Sequence, residues 1–199
     1  MAKIKYYAVR VGRETGIFTD WERCKASVIG YEGATYKSFV DKDEAEDYFY
    51  GKSKKKPVVD KYTAVAYVDG SYNSDTRRYG SGVVLFFKGE TIELSQFGIS
   101  SELAKMRNVG GELMAVSMAI KEAVRLNAKR IIIHYDYAGI EQWANGGWQA
   151  NKVGTREYKK FIERMRKLIA IEFSKVKAHS GNEYNDMADR LAKEAIGLK

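Results

Sequence analysis

Residues 62–72 read YTAVAYVDGSY, an apolar run of strand-forming residues with an aspartate, Asp69, at its far end. Val, Tyr and Thr among small alanines predict a mostly buried strand over 62–69. An isolated carboxylate in such a place is costly, so a cation or hydrogen-bond donors must meet it. Downstream, YGSGVVLFFKG (79–89) and ETIELSQFG (90–98) read as two strands joined by a turn at Lys88–Gly89, hence antiparallel. GGELMAVSMAIKEAVRLNA (110–128) spaces Leu113, Val116, Ile120, Ala123 and Val124 as a helix does. KRIIIHYDYA (129–138) reads as a short buried strand, and GIEQWA (139–144) opens a short helix. TREYKKFIERMRKLI (155–169) is an amphipathic helix with Tyr158, Phe161, Ile162, Met165 and Ile169 inward. IEFSKVKAHS (171–180) alternates like a strand, and NDMADRLAKEAIG (185–197) is a closing helix. Three strands and a helix, then strand, helix, strand and helix, specify an α/β protein whose mixed sheet is flanked by helices.

Ahead of that domain, GKSKKK at 51–56 is followed by Pro57, the sole proline, and this is the clearest break in composition. It divides the chain into a small module at 1–50, a basic flexible linker at 51–60 and a main domain at 61–199. With 45% apolar and 30% charged residues, the chain of 199 is globular rather than disordered. The longest apolar runs, such as GVVLFF and RIIIHY, are too short to span a bilayer, and MAKIKYYAV lacks the pattern of a secretory signal. The one cysteine, Cys24, cannot form an internal disulfide and reads as a small core residue, so a reducing cytoplasm is expected. A net charge of +8 and a pI near 9.3 favour a polyanionic partner, most simply nucleic acid.

The carboxylates sharpen this. Asp69 and Asp136 both fall toward the C-terminal ends of apolar strands. If those strands are parallel neighbours, the two acids meet at a sheet-end crevice of the kind where α/β proteins bind ligands. Glu112 opens the helix after NVGG, and Asp189 lies one turn past Asn185 on the last helix. Taken singly, an acid at a strand end is more often a cap or an ion-pair partner than a site. Clustered, four carboxylates repel unless cations neutralise them, and hard divalent ions such as Mg²⁺ or Mn²⁺ suit oxygen ligands. His134 and His179 are far apart and Cys24 is alone, so zinc spacing is absent. Carboxylate-bridged ion pairs serve phosphodiester cleavage.

The segments YVDGSY (67–72), NVGGELMAV (108–116), IIIHYDYAGIEQWA (131–144) and VKAHSGNEYNDMADRLAKEA (176–195) together, and in this order, resemble the type 1 ribonuclease H family. The resemblance covers 62–196. It implies a ribonuclease H-like fold with a five-stranded mixed sheet. It also implies that Asp69, Glu112, Asp136 and Asp189 bind two Mg²⁺ ions, with Mn²⁺ as substitute. The implied reaction is endonucleolytic hydrolysis of the RNA strand of an RNA–DNA hybrid, leaving 5′-phosphate and 3′-hydroxyl ends. His179 matches a loop histidine that assists proton transfer or product release, whereas His134 reads as a strand residue without chemistry. Ser71, Asn73, Asn108 and Asn185 match positions in contact with the hybrid, although Asn and Ser also favour turns. Where some members carry an extra basic helix, this chain has NGGWQANKVG (145–154) with a single lysine. Integrases, transposases and junction resolvases of the same fold, and a non-catalytic hybrid binder, are the competing readings.

Residues 5–49 resemble the small α+β hybrid-binding domain found ahead of some ribonucleases H, related to modules of caulimovirus inclusion-body proteins. Tyr7, Trp21, Tyr36 and Lys37 match its nucleic-acid contacts, where rings pack on sugars or bases and an ammonium meets phosphate. Ser38 stands where the family often has a second lysine. Residues 1–40 hold seven basic and four acidic side chains, while 41–47 hold five acids and one lysine, so the latter segment should face away from nucleic acid. The implied partners are RNA–DNA hybrid and, through the module, double-stranded RNA; the chain is expected to be monomeric and free of membranes.

Overall fold

The computed structural model describes residues 4–50, 57, 59–99, 101–176 and 182–198, so the lysine-rich stretch at 51–56 lies outside the described residues. Two compact units result, Met1–Lys55 and Lys56–Lys199. No helix among the described residues is long and apolar enough to cross a membrane.

The front unit holds β1 (Tyr6–Val11), β2 (Gly16–Phe18), α1 (Trp21–Val28), β3 (Thr35–Phe39) and α2 (Lys42–Tyr50), with an antiparallel sheet in the order β2-β1-β3. Strand alternation splits β1 between two small cores. Val9 packs with Phe18, Cys24 and Val28 beneath α1, and Ala8 packs with Phe39 and Ala45 beneath α2. Asp20 caps α1 by accepting the backbone N–H groups of Glu22 and Arg23. Cys24 is fully buried, and burial pushes its thiol pKa up, which makes it a core residue.

The main unit runs β4 (Thr63–Asn73), β5 (Arg78–Phe87), β6 (Glu90–Gly98), α3 (Ser101–Ala104), α4 (Asn108–Arg125), β7 (Arg130–Tyr135), α5 (Gly139–Asn145), α6 (Val153–Met165), β8 (Ala170–Lys175) and α7 (Glu183–Glu194). Its five strands form one mixed sheet in the order β6-β5-β4-β7-β8, antiparallel on the β5 side of β4 and parallel on the β7 side. The β5–β6 hairpin closes through Lys88 (φ 49°) and Gly89 (φ 84°), the left-handed pair that a two-residue turn needs to follow strand twist.

Alternation assigns the two faces. Val68, Leu85 and Ile133 join Ile120 of α4 and Ile162 of α6 in the larger core, whereas Val65, Tyr67, Val84 and Phe86 pack against Tyr184, Ala188 and Leu191 of α7. The helix α7 lies unusually close to the sheet because β5 presents glycines there: a Cβ at Gly80 would overlap the carbonyl oxygen of Ala192, and one at Gly82 that of Ala188.

The short α3 is not expected from the sequence, and of the strand expected over 171–180 β8 ends at Lys175, with 177–180 outside the described residues; two further departures have a visible cause. The first strand continues four residues past Asp69, to Asn73, because β5 keeps pairing with it down to Asn73–Arg78 while the parallel partner stops at Tyr67–His134. Asp69 therefore sits where β4 outruns β7, not at a strand end. Helix α6 stops at Met165; Leu168 and Ile169 follow in a turn, with the Ile169 N–H on the Met165 carbonyl and the Ala170 N–H on that of Lys129, which starts β8.

Candidate active site

Asp69 comes from β4, Asp136 follows β7 directly, and Glu112 lies in the second turn of α4. One carboxylate oxygen from each of the three lies within 4.8 Å of the others. Glycines bring α4 this close. A Cβ at Gly70 would overlap the Glu112 amide nitrogen and the Asn108 carbonyl, and one at Gly111 the Gly80 carbonyl. The buried Ser81 hydroxyl donates to the Gly111 carbonyl at 2.7 Å and fixes the first turn of α4 against β5.

The environment opposes charge. Glu112 is only 4% exposed, and its Oε2 has no hydrogen-bond partner among the described residues. Its pKa is pushed up to about 9, first by burial and then by the charges of Asp136 and Asp69. Asp69 is pushed up to about 7 by burial and by Asp136, against one stabilising bond from the Gly70 N–H at 2.7 Å. Three carboxyls held together against desolvation and mutual repulsion, one with an orphaned buried oxygen, form a donor set that fits a hard divalent cation.

The fourth acid stands apart. Asp189, on α7, accepts a 2.7 Å bond from Lys193 Nζ, and its oxygens are not in the close group, although its charge contributes to raising Asp69. Asn185, one turn earlier, is 5% exposed with an unpartnered Oδ1 among the described residues. Asn182 caps α7 by accepting the Tyr184 and Asn185 N–H groups at 3.1 and 3.4 Å. His179 lies outside the described residues. His134 is a half-buried strand residue whose ring stacks on Tyr67 (centroids 4.5 Å apart, planes at 19°) and whose pKa is lowered by burial, so a packing role suits it.

Ser71 and Asn73 share the Asp69 face of β4 by alternation. Asn73 is engaged in the turn: its Oδ1 accepts the Asp75 and Thr76 N–H groups at 2.9 and 3.1 Å, and its amide donates to the Ile196 carbonyl at 3.4 Å. Asn108 is exposed at the start of α4 and lines a cleft of about 300 Å³ together with Lys105, Arg107, Tyr137, Trp143 and Lys152. The aromatic wall escaped the sequence reading: Tyr137, Trp143 and Trp148 lie with ring centroids 5.7–6.4 Å apart. The signal was present in the very segment noted for its single lysine, which carries Trp148 and follows Trp143. Arg107 is held at φ 54°, a left-handed conformation uncommon outside glycine.

In the front unit Tyr7 and Trp21 stand 5.3 Å apart and Trp21 and Tyr36 6.2 Å, with Trp21 39% and Tyr36 44% exposed. This is an open aromatic surface, and α2 with its acids covers the opposite face of the sheet. Lys37 pairs with Ala8 and so faces the α2 side, away from Tyr36; Ser38, opposite Tyr7, shares the aromatic side.

Residues 5–49 match the family described as Ribonuclease H1 N-terminal domain, and residues 61–197 match the family described as RNase H. Ribonuclease H1 of Homo sapiens is 26% identical over a gapped alignment of 254 positions, covering 95% of this chain and 88% of its own. Among solved structures, RNase H1 from the halophilic archaeon Halobacterium salinarum superposes with a TM-score of 0.57 at 21% identity, over 67% of this chain and 97% of that one. LC11-RNase H1, crystallised in complex with an RNA/DNA hybrid, gives 0.54 at 16% identity, over 67% and 99%. At these identities the structural likeness is one of fold.

Proposed function

The chain belongs to the ribonuclease H family, and from that premise we propose that it is an endonuclease hydrolysing the RNA strand of RNA–DNA hybrids, leaving 5′-phosphate and 3′-hydroxyl ends. The observation that carries this reading is the meeting of Asp69, Glu112 and Asp136, with one buried Glu112 oxygen unpartnered among the described residues. In it these three acids and Asp189 hold two divalent ions, Mg²⁺ or, as substitute, Mn²⁺. Two such ions supply a water activated near neutral pH and neutralise charge on the leaving oxygen. The chain's own groups do the remaining work. Glu112 must shed a proton to become a ligand, because burial keeps it protonated near neutral pH. His179 relays a proton or helps product leave, the role that the family resemblance implies.

Ser71, Asn108 and Asn185 are assigned to the hybrid backbone, where polar side chains can reach the 2′-hydroxyl that separates RNA from DNA. Asn73 belongs to this group only if its turn-forming bonds leave it room. Residues 1–50 are assigned to hybrid binding through Tyr7, Trp21 and Tyr36, with double-stranded RNA as a second ligand, and 61–199 to catalysis; Lys37, which faces the α2 side, joins them only if its long side chain reaches round the edge strand β3. The linker at 51–60 then raises the local concentration of one binder near the other's substrate. A monomer in the reducing cytoplasm completes the reading, consistent with one buried cysteine.

The deciding experiment offers four labelled duplexes or strands of one sequence: RNA–DNA hybrid, RNA–RNA, DNA–DNA and single-stranded RNA. Each is incubated with Mg²⁺, Mn²⁺ or EDTA, beside Asp136→Asn. Metal-dependent cutting of RNA in the hybrid alone, lost in the variant, is expected. Binding without cutting would make the chain a hybrid-binding protein, and cutting of DNA–DNA would move it to another branch of the fold.

A further inference from the structure

We infer that Lys193 is a resident cation at the fourth carboxylate: it holds Asp189 in the ion-free protein and weakens divalent-ion binding there. The inference rests on reading the four carboxylates as the ion site.

Three observations lead to it. Lys193 Nζ is 2.7 Å from Asp189 Oδ2, one turn along α7, and the other nearby acid on that helix, Glu194, is held at 3.8 Å by Arg190. Asp189 is the one acid of the four whose oxygens stay outside the close group formed by Asp69, Glu112 and Asp136. The Lys193 charge also reaches the sheet, since it is among the groups that favour the ionised form of Asp69. Position explains the reach. Glycines at 80 and 82 seat α7 directly on β5, and Asp189 and Lys193 flank Ala188 and Ala192, which make that contact.

The consequence is an asymmetry between the two ions. One bound by the three-acid cluster breaks no ion pair among the described residues and meets the Lys193 charge only at longer range. One that needs Asp189 must draw the carboxylate away from an ammonium that stays within reach and repels it. The second ion should therefore arrive last and leave first. Lys193 acts here as a positioning residue, since it acts through Asp189 and not on substrate.

The test titrates Mn²⁺ into the full chain and counts bound ions by electron paramagnetic resonance and calorimetry, without substrate. Wild type, Lys193→Met and Lys193→Arg are compared, and thermal melts confirm that each folds. In Lys193→Met the weaker Mn²⁺ site should tighten about fivefold, the upper end of what a partly exposed ion pair contributes. Lys193→Arg should match wild type, and the gain should vanish at about 1 M salt, where exposed charges are screened. Unchanged or weaker Mn²⁺ binding in Lys193→Met would overturn the role of Lys193 alone. Absence of Mn²⁺ binding by wild type would instead overturn the reading of the carboxylates as ligands.

Discussion

Replacing Glu112 by Gln should stabilise the ion-free protein, and increasingly so as pH rises above about 5. A carboxyl whose folded-state pKa is raised favours folding below its unfolded value, and that contribution drains away as pH climbs toward the folded value. For Glu112 the window opens at its ordinary 4.5 and closes near 9. At pH 7.5 about three pH units of it have passed, and at about 1.4 kcal/mol each the ceiling is about 4 kcal/mol. Glu112 is 4% exposed, so solvent screens little of this, but Asp69 and Asp136 relax with it and reduce the effect. About 2 kcal/mol is a reasonable expectation, which corresponds to roughly 6 °C in a domain of this size. Gln keeps the shape and removes the charge. Melts in EDTA at pH 5 and pH 8, followed by tryptophan fluorescence, should show wild type and Glu112→Gln together at pH 5 and the variant ahead at pH 8. Excess Mg²⁺ should then raise wild type toward the variant, through binding to the folded state. A difference that stays constant from pH 5 to pH 8, or a variant less stable at pH 8, would refute the account of a carboxyl strained by burial.

Asp136→Asn should lower hybrid cleavage by at least about a thousandfold, the rate equivalent of several kcal/mol of lost charge stabilisation, as read in a single-turnover assay. Gly82→Ala should cost about 1–3 kcal/mol in urea unfolding, because the added methyl meets the Ala188 carbonyl, and it should impair cleavage by displacing Asp189; a variant of wild-type stability would show that α7 yields freely. Trp21→Ala should weaken hybrid binding, measured by fluorescence anisotropy, by about fivefold or more, since one stacked base is worth about 1–3 kcal/mol. The rate at saturating hybrid should be unchanged by Trp21→Ala, and a fall in that rate would contradict a purely binding role.

Much of this was legible in the sequence because the main elements are strongly periodic. The apolar runs ending near Asp69 and Asp136 fixed two buried strands, and their parallel pairing brought both acids to one crevice. Glu112 could be placed because glycines precede it, and Gly70 and Gly111 do let the helix touch the sheet. What escaped depends on partners distant in sequence. The four extra residues of β4 exist because β5 pairs with them, and no local pattern in SYN announces that. The Lys193 bond to Asp189 is an ordinary helix spacing that becomes informative only once α7 is seen against β5. Likewise, the sequence treats Tyr36 and Lys37 as one motif, whereas pleating sends them to opposite faces of the sheet.

The bonds that fasten α7 bear on how damage would travel. Ser95 donates its hydroxyl to the Leu191 carbonyl, and Asn73 its amide to that of Ile196, both beyond Asp189 along the chain. The helix is thus moored by hydrogen bonds at its downstream end and by the packing of Tyr184 on Tyr67 and Phe86 at its start, with the fourth carboxylate amidships. Cutting the mooring at Leu191–Ile196 would let the carboxylate drift, so residues far from any substrate would behave, in a deletion series, as though they belonged to the active site.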